Sequence, residues 1–425
     1  MINFNDVLSI GTYDVIIAGG GTAGFAAAVA AGRNGLKTLL IEEKSFLGGT
    51  ATGGHICQLM GFEQNDSYES LKGVLADVLN GLLHSNGTTG IENIYLCGRK
   101  DLDIPVIPYI PETLTRVIHR LVRNAGVDVL LHTRIIGVEA KEKRIDSIVF
   151  HNEEGIQKAH GKIIIDASFH GSIAADAGCS YQLGDEKGIL QPATLMYQMA
   201  NVDHTIFNQI PQKQRTEIAN QGIAAGKMYV NNLLARKLPD NMTYCNMSRI
   251  KMDPFHTLDW SIAEMDAREQ VKEISDFFVQ NVPGFEHATL SSIGAFTGLR
   301  DSRRIIGKYI LTNEDVSEGR DFPDAVVKSS YPIDIHDANG VDSIIKKPKS
   351  GSFSIPYRSM VTNEIDNLIL AGRCISCEYE AHASIRVMIT CIRLGEVAGI
   401  AAAESLKREI SPNVLEGSIL HQILF

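Results

Sequence analysis

Between Tyr13 and Glu43 the chain reads YDVIIAGGGTAGFAAAVAAGRNGLKTLLIEE, and this stretch constrains the fold more than any other. Nearly every residue from Val15 to Ala31 is apolar or glycine, so a buried or membrane-crossing helix competes with a ligand-holding turn. Three successive glycines decide between them, since each costs about 1 kcal/mol in a helix interior. Tyr13–Ala18 is a β-branched run suited to a buried parallel strand. Gly19, Gly20 and Gly21 break it, and an alanine-rich helix is expected from Thr22 to about Arg33, stopped by Gly35. Lys37–Ile41 is a second strand, ending at Glu42 and Glu43. The unit is strand, tight turn, helix, strand.

Gly19-x-Gly21-x-x-Gly24 fits the dinucleotide fingerprint. Gly19 permits the tight turn, Gly21 lets backbone approach a pyrophosphate, and Gly24 lets the helix pack closely on the strand. The helix N-terminus offers free N–H groups and a positive dipole end to phosphates. Glu42 suits ribose hydroxyls and repels a 2′-phosphate, which argues against NADP. A dinucleotide site is the expectation.

The remaining bounds are broad. A chain of 425 residues implies two or three structural units, and 44% hydrophobic with 21% charged residues is ordinary for a globular protein. A formal net charge of −10 disfavours nucleic acid or an anionic membrane as main partner. The start, MINFNDVLSIGTYD, lacks the pattern of a signal peptide, and no apolar run reaches spanning length. The seven cysteines (Cys57, Cys97, Cys179, Cys245, Cys374, Cys377 and Cys391) are odd in number and scattered, as free thiols in a reducing compartment would be. A cytoplasmic protein with no membrane partner is expected, with a homo-oligomer left open. No Cys, His and carboxylate spacing suggests a metal site.

Other segments extend the pattern. KSFLGGTATGG follows Glu43 as a loop of small residues. PETLTRVIHRLVRNAG reads as an amphipathic helix closed by Gly126. VDVLLHTRIIGVEAKEKRIDSIVFHNEEG alternates like an antiparallel meander, and KIIIDAS returns to a buried strand ending at Asp166. NLILAGR is another buried strand, and SIRVMITCIRLGEVAGIAAAESL a long apolar helix.

On these segments, with QPATLMYQM, TGLRDSRRIIGKYILTNEDV and YPIDIH, the chain resembles the FAD-dependent oxidoreductases with a glutathione-reductase-like (GR2-type) FAD fold. The resemblance is strong at both ends and weakest across residues 60–105 and 205–290. It implies an α/β fold: a Rossmann-like FAD-binding domain, with a parallel sheet and an antiparallel meander, plus an inserted α+β substrate or cap domain. The FAD-binding domain would take residues 1–60, 106–190 and 355–425, and the substrate domain 61–105 and 191–354. Gly19, Gly21 and Gly24, with Thr22 and Ala23, would line the pyrophosphate, and Glu42 with Glu43 the adenosine ribose. Gly49 and Thr50 would pass near the flavin, Ile135 near adenine, and Ala167 near the pyrophosphate. Gly372 and Arg373 would lie beside the ribityl chain, and the helix of Gly395 near the pyrimidine edge.

Two departures matter. The family continues Asp-Ala with Thr-Gly, where this chain has Ser168 and Phe169. The third motif also lacks the Gly-Asp pair of aromatic-ring hydroxylases, which lowers the expectation of a monooxygenase. No second glycine fingerprint follows residue 60, so a separate NADPH domain is not expected. Gly49 occupies the place where related flavoproteins carry a linking histidine. His55 and Cys57 follow a few residues later, and noncovalent FAD is expected.

Candidate catalytic residues fall in three places. In GLRDSRR, Arg300 and Arg304 share a face in either period and suit a substrate carboxylate or the flavin edge. Structural ion pairs to Asp301 or Glu318 are an equal alternative. In YPIDIH, alternation sets Asp334 and His336 on one face, opposite Tyr331, Ile333 and Ile335. The pair could remove a proton, or be a solvated strand face at a sheet edge. In CEYEAHASIR, His382 and Arg386 are one turn apart beside the expected flavin-contacting strand; helix capping is at least as good a reading. Cys374 and Cys377 form a C-x-x-C best read as two buried thiols.

The leading expectation is an enzyme passing hydride from a small polar organic substrate to flavin N5, with an unknown electron acceptor. Arg300 or Arg304 would orient the substrate and His336 or His382 act as base. A flavoprotein of tRNA modification and an electron-transfer subunit are the alternatives. The acidic balance weakens the first, and the lack of iron–sulfur cysteine spacing the second.

Overall fold

A computed structural model describes residues 7–63, 67–337, 341 and 343–425, with the Cys97 side chain also outside the description. β1 (Leu8–Ala18) leads through the glycine turn into α1 (Thr22–Arg33), and β2 (Thr38–Ile41) pairs parallel to β1. Gly35 closes the helix side of the unit at φ 77°, a backbone conformation that favours glycine. The helix Pro111–Asn124 opens with Pro111 in its first turn and is followed by Gly126 at φ 71°.

These elements belong to a seven-stranded, mostly parallel sheet. Its organiser is the strand Gly155–Asp166. One edge pairs parallel with β1. The other edge takes the meander hairpin (Arg134–Lys141 and Arg144–Asn152) along Gly155–His160, then Leu368–Leu370 along Ile164–Asp166. The last meander strand and the buried KIIID strand are therefore one continuous element, where the sequence suggested a break. A strand contributed from residue 368 completes the sheet beside Asp166, as an interrupted sheet requires.

The C-terminal apolar segment differs from expectation. It is two helices, Tyr379–Ile385 and Met388–Lys407, divided at Arg386 and Val387, where Val387 is extended. At the break, Arg386 donates Nη2 to the Asp334 carbonyl at 2.8 Å. That second helix packs on α1 at very short range: a Cβ on Gly395 would fall 2.0 Å from the Ala23 carbonyl oxygen, and one on Gly399 2.5 Å from that of Ala27. Glycine spaced by four supplies the flat face such an approach needs.

A second apolar cluster is built from residues between Leu195 and Ala288. It sits between a four-stranded antiparallel sheet (Ala235–Lys237, Thr243–Cys245, Tyr197–Ala200, Thr289–Ile293) and the helix Thr257–Asn281. Residues such as Ile305, Val327, Ile333 and Ile355 belong instead to the main core. Among the described residues no helix is long and apolar enough to cross a membrane.

Candidate functional site

A cleft of about 350 Å³ opens where β1 and β2 end. The three fingerprint glycines answer to three different constraints. Gly19 has φ 94°, and a Cβ there would meet the Ala167 carbonyl oxygen at 2.8 Å. A Cβ on Gly24 would fall 1.8 Å from the Gly19 carbonyl oxygen. In front of Gly21, by contrast, nothing lies within 4 Å, and this residue caps the N-terminus of α1. The open space and the free N–H groups coincide, which is the cradle a pyrophosphate needs.

Glu42 is buried at the far end of the cradle. Its Oε2 accepts from the Gly20 N–H at 2.6 Å and its Oε1 from the Lys44 N–H at 2.9 Å. Burial raises its carboxyl above the usual range, against the pull of those two bonds. Each oxygen keeps a lone pair for a ribose hydroxyl. Room, donors and acceptor fit the adenosine diphosphate part of FAD.

Of the residues implied for the cofactor, Gly19, Gly21, Thr22, Ala23, Glu42 and Glu43 line this cleft, as do Gly49, Thr50, Ile135, Ala167, Gly372 and Arg373. Gly24 and Gly395 do not; both sit at close backbone contacts that hold α1 against its neighbours. Phe169 adopts a left-handed φ of 66°. That conformation costs a non-glycine residue about 1–2 kcal/mol. Its ring becomes a platform for Arg373, whose guanidinium lies 3.6 Å from the centroid. His170 and Trp260, which no motif singles out, also line the cleft. Burial, with Arg373 and Arg303 nearby, pushes the His170 imidazole down to about 4.

A second cavity of about 480 Å³ adjoins the first, and the two share Thr50, Leu299 and Arg373 in their linings. Arg300, His336 and Arg386 line it together with Asp334. Asp334 and His336 are buried, so the strand carrying them is not a solvated face. Its Asp334 Oδ2 lies 3.4 Å from His336 Nε2 and 3.9 Å from Arg386 Nη2. Tyr331, expected on the opposite face, precedes the strand and donates its hydroxyl to the same oxygen at 3.3 Å. Pro332 lies between them, and alternation fails because Tyr331 is outside the regular strand.

The protonation of this group follows from its partners. Arg249 Nη2 lies 3.1 Å from His336 Nδ1, and a guanidinium can only donate. Nδ1 is therefore the bare nitrogen, and Nε2 carries the hydrogen toward Asp334. Burial, reinforced by Arg300, pushes the imidazole down to about 3. Burial would raise the Asp334 carboxyl, but His336, Arg386 and Arg300 hold it well below the usual range. At neutral pH the pair is a carboxylate beside a neutral imidazole.

Arg304 and His382 are placed elsewhere. Arg304 is buried, donating Nη1 to Asp301 at 3.3 Å, Nη2 to the Gly184 carbonyl at 2.8 Å and Nε to that of Cys377 at 3.1 Å. Arg300 and Arg304 thus face different surroundings, because Arg304 lies in the short strand Arg304–Ile305 and Arg300 in the irregular segment before it. His382 is fully buried, with Nε2 3.0 Å from the Arg373 carbonyl oxygen and Nδ1 3.8 Å from Asp301. It supports the backbone of Arg373 without lining either cavity. Arg303 stacks on Phe255 at 4.2 Å and Tyr181 at 5.0 Å. Cys374 and Cys377 are free and buried. His55 and Cys57 line neither cavity. Among the described residues no cluster of His, Cys, Asp or Glu could hold a metal ion.

Sequence reasoning passed over Arg236, Tyr244 and Arg249. They lie in the weakest stretch of the resemblance, on short strands and loops whose pairing partners are distant or irregular. No local motif marks them.

The sequence matches the profile described as FAD dependent oxidoreductase over residues 14–424. No curated protein matches it significantly. Among solved structures it is similar to a p-nitrophenol 4-monooxygenase from Pseudomonas putida DLL-E4, at 11% identity and a TM-score of 0.53, covering 97% of this chain and 86% of that one. A flavin-dependent brominase, Bmp2, gives 12% identity and a TM-score of 0.51, covering 97% and 82%. A geranylgeranyl bacteriochlorophyll reductase-like protein from Thermoplasma acidophilum gives 16% and 0.50, covering 97% and 91%. At such identities these likenesses speak to fold alone. With the profile spanning nearly the whole chain and a cleft that fits the cofactor, the protein belongs to the FAD dependent oxidoreductase family.

Proposed function

We propose that the protein is a dehydrogenase or oxidase for a small polar organic compound held in the 480 Å³ cavity, with FAD bound noncovalently in the adjoining cleft. The observation that carries this reading is the shared wall of Thr50, Leu299 and Arg373, which makes the two cavities neighbours. When bound, the flavin supplies a two-electron acceptor, taking a hydride at N5. The chain supplies the rest. Arg300 and Arg386 orient the substrate, and the buried walls exclude water. The Asp334–His336 pair receives the proton released as the substrate is oxidised. His336 Nδ1 is committed to Arg249 and Ser343. Among the described residues Asp334 Oδ1 has no hydrogen-bond partner, which leaves it as the acceptor atom and His336 as the group that orients it. The second apolar cluster, with its sheet and long helix, would be the substrate domain closing over both cavities.

The test is anaerobic titration of the yellow holoprotein with a panel of hydroxy and amino compounds, following flavin absorbance. One of them should bleach the flavin, with the rate lost in Asp334→Asn. Acid precipitation should release FAD into the supernatant. A protein that stays colourless after reconstitution with FAD would overturn the reading.

A further inference from the structure

The larger cavity is cationic in a chain whose formal net charge is −10. Lys100, Arg215, Arg236, Arg300, Arg373 and Arg386 line it, against the single acid Asp334. Three of these are tied to several protein groups. Arg386 donates to the Asp334 carbonyl and faces its carboxylate; Arg215 donates to the Ile210 and Phe207 carbonyls. Arg373 donates to the Leu299 carbonyl and stacks on Phe169.

Lys100 is exposed, which leaves Arg236, Arg300 and the neighbouring Tyr244 as the less fully paired groups inside the cavity. Among the described residues Arg236 has no hydrogen-bond or ion-pair partner, and the Tyr244 hydroxyl has none. Arg300, only 7% exposed, donates Nη1 to the Pro192 carbonyl at 2.5 Å and among the described residues meets no carboxylate within 4 Å. Arg236 and Tyr244 are directly opposite each other in the antiparallel pair Ala235–Lys237 and Thr243–Cys245, so they project from the same face of that sheet. All three side chains line the same cavity, and the charges of Arg236 and Arg300 both act on the Tyr244 phenol. Partly buried Arg236 feels Glu92 and buried Arg300 feels Asp334, neither within ion-pair distance among the described residues, and a desolvated cation without a close counter-charge is costly unless something supplies one.

We propose that Arg236, Tyr244 and Arg300 form a subsite for a carboxylate, so that the substrate of this cavity is a small carboxylic acid. The inference rests on the reading of the cavity as the substrate's. Two guanidinium forks and a phenol hydroxyl suit a planar anion with two acceptor oxygens. The cavity volume suits a small organic acid. An anion here would also change the proton acceptor beside it. Arg300 helps hold both His336 and Asp334 in their proton-poor forms. A carboxylate against Arg300 cancels that field, so the base strengthens only when substrate is in place.

The experiment uses FAD-loaded protein and needs no turnover. Benzoate, glycolate and succinate are titrated against benzamide, glycolamide and succinamide, with inorganic phosphate as a further probe. Binding is read by isothermal calorimetry and by the flavin difference spectrum. At least one carboxylate should bind while its amide does not, and Arg236→Gln or Tyr244→Phe should weaken it roughly ten- to hundredfold. Arg236→Lys should restore part of the loss, and FAD content with thermal unfolding shows that each variant is folded. Equal binding of acid and amide, binding of phosphate alone, or no binding by any carboxylate to the yellow wild type would overturn the proposal. Loss of FAD from the wild type would instead overturn the functional reading beneath it.

Discussion

The two cavities share a wall but are built in opposite ways. The cofactor cleft is made by local geometry: a turn, a helix start and two strand ends, with backbone groups facing the ligand and glycines making the room. The larger cavity is made by side chains drawn from strands, helices and loops between Thr50 and Met388. In the first, what matters is the absence of atoms at Gly21. In the second, it is the presence of charge at Arg236, Arg300 and Asp334. A cleft made of backbone tolerates little change in shape, whereas a cavity made of side chains can be re-tuned one residue at a time. This is how a common cofactor domain serves many substrates.

The contrast can be broken first within the cofactor cleft. Gly24→Val forces a side chain into the Gly19 carbonyl and should cost about 3 kcal/mol or more, read as loss of folded protein or a lowered denaturation midpoint. Gly21→Val meets open space and should cost the apoprotein about 1 kcal/mol or less, yet abolish FAD retention. Trp260, the single tryptophan, lines the cleft, so quenching of its emission reports binding directly. If both variants unfold alike, the division of labour among the glycines is wrong.

In the cavity proposed for the substrate, Asp334→Asn should leave FAD binding unchanged and slow flavin reduction by about a hundredfold or more. A matching loss of FAD would show that the two cavities are not separable.

The smallest effect concerns pH. His170 is held neutral down to about 4, from an ordinary value of 6.5, so the unfolded chain binds a proton that the folded one refuses between those limits. Stability contributed by keeping this imidazole neutral is complete above pH 6.5 and is lost as pH falls toward 4. Measured against His170→Gln, the wild-type apoprotein should lose roughly 1–2 kcal/mol between about pH 7 and pH 5.5. A difference that does not vary with pH would show that His170 is hydrated in the folded protein.

What could be read from the sequence follows the same division. The strand, turn and helix at Tyr13–Arg33 were legible because periodicity and glycine spacing act within a few residues, and α1 begins at Thr22 as the spacing implies. The distant strand Leu368–Leu370 was legible as a short buried apolar run, and its pairing with Ile164–Asp166 is what closes the sheet beside the cleft. Arg300 and Arg304 were not separable in the sequence, since a spacing of four satisfies both helix and strand. Only the packing sends one into a cavity and the other against Asp301. Arg236 and Tyr244 carry no local signal, and they become a pair through antiparallel register across the seven intervening residues of strand and turn. The sequence alone determined the cofactor cradle, because backbone geometry is a local property. The tertiary structure decided the cationic cavity, because charge acts through space between groups whose order along the chain does not record their distance.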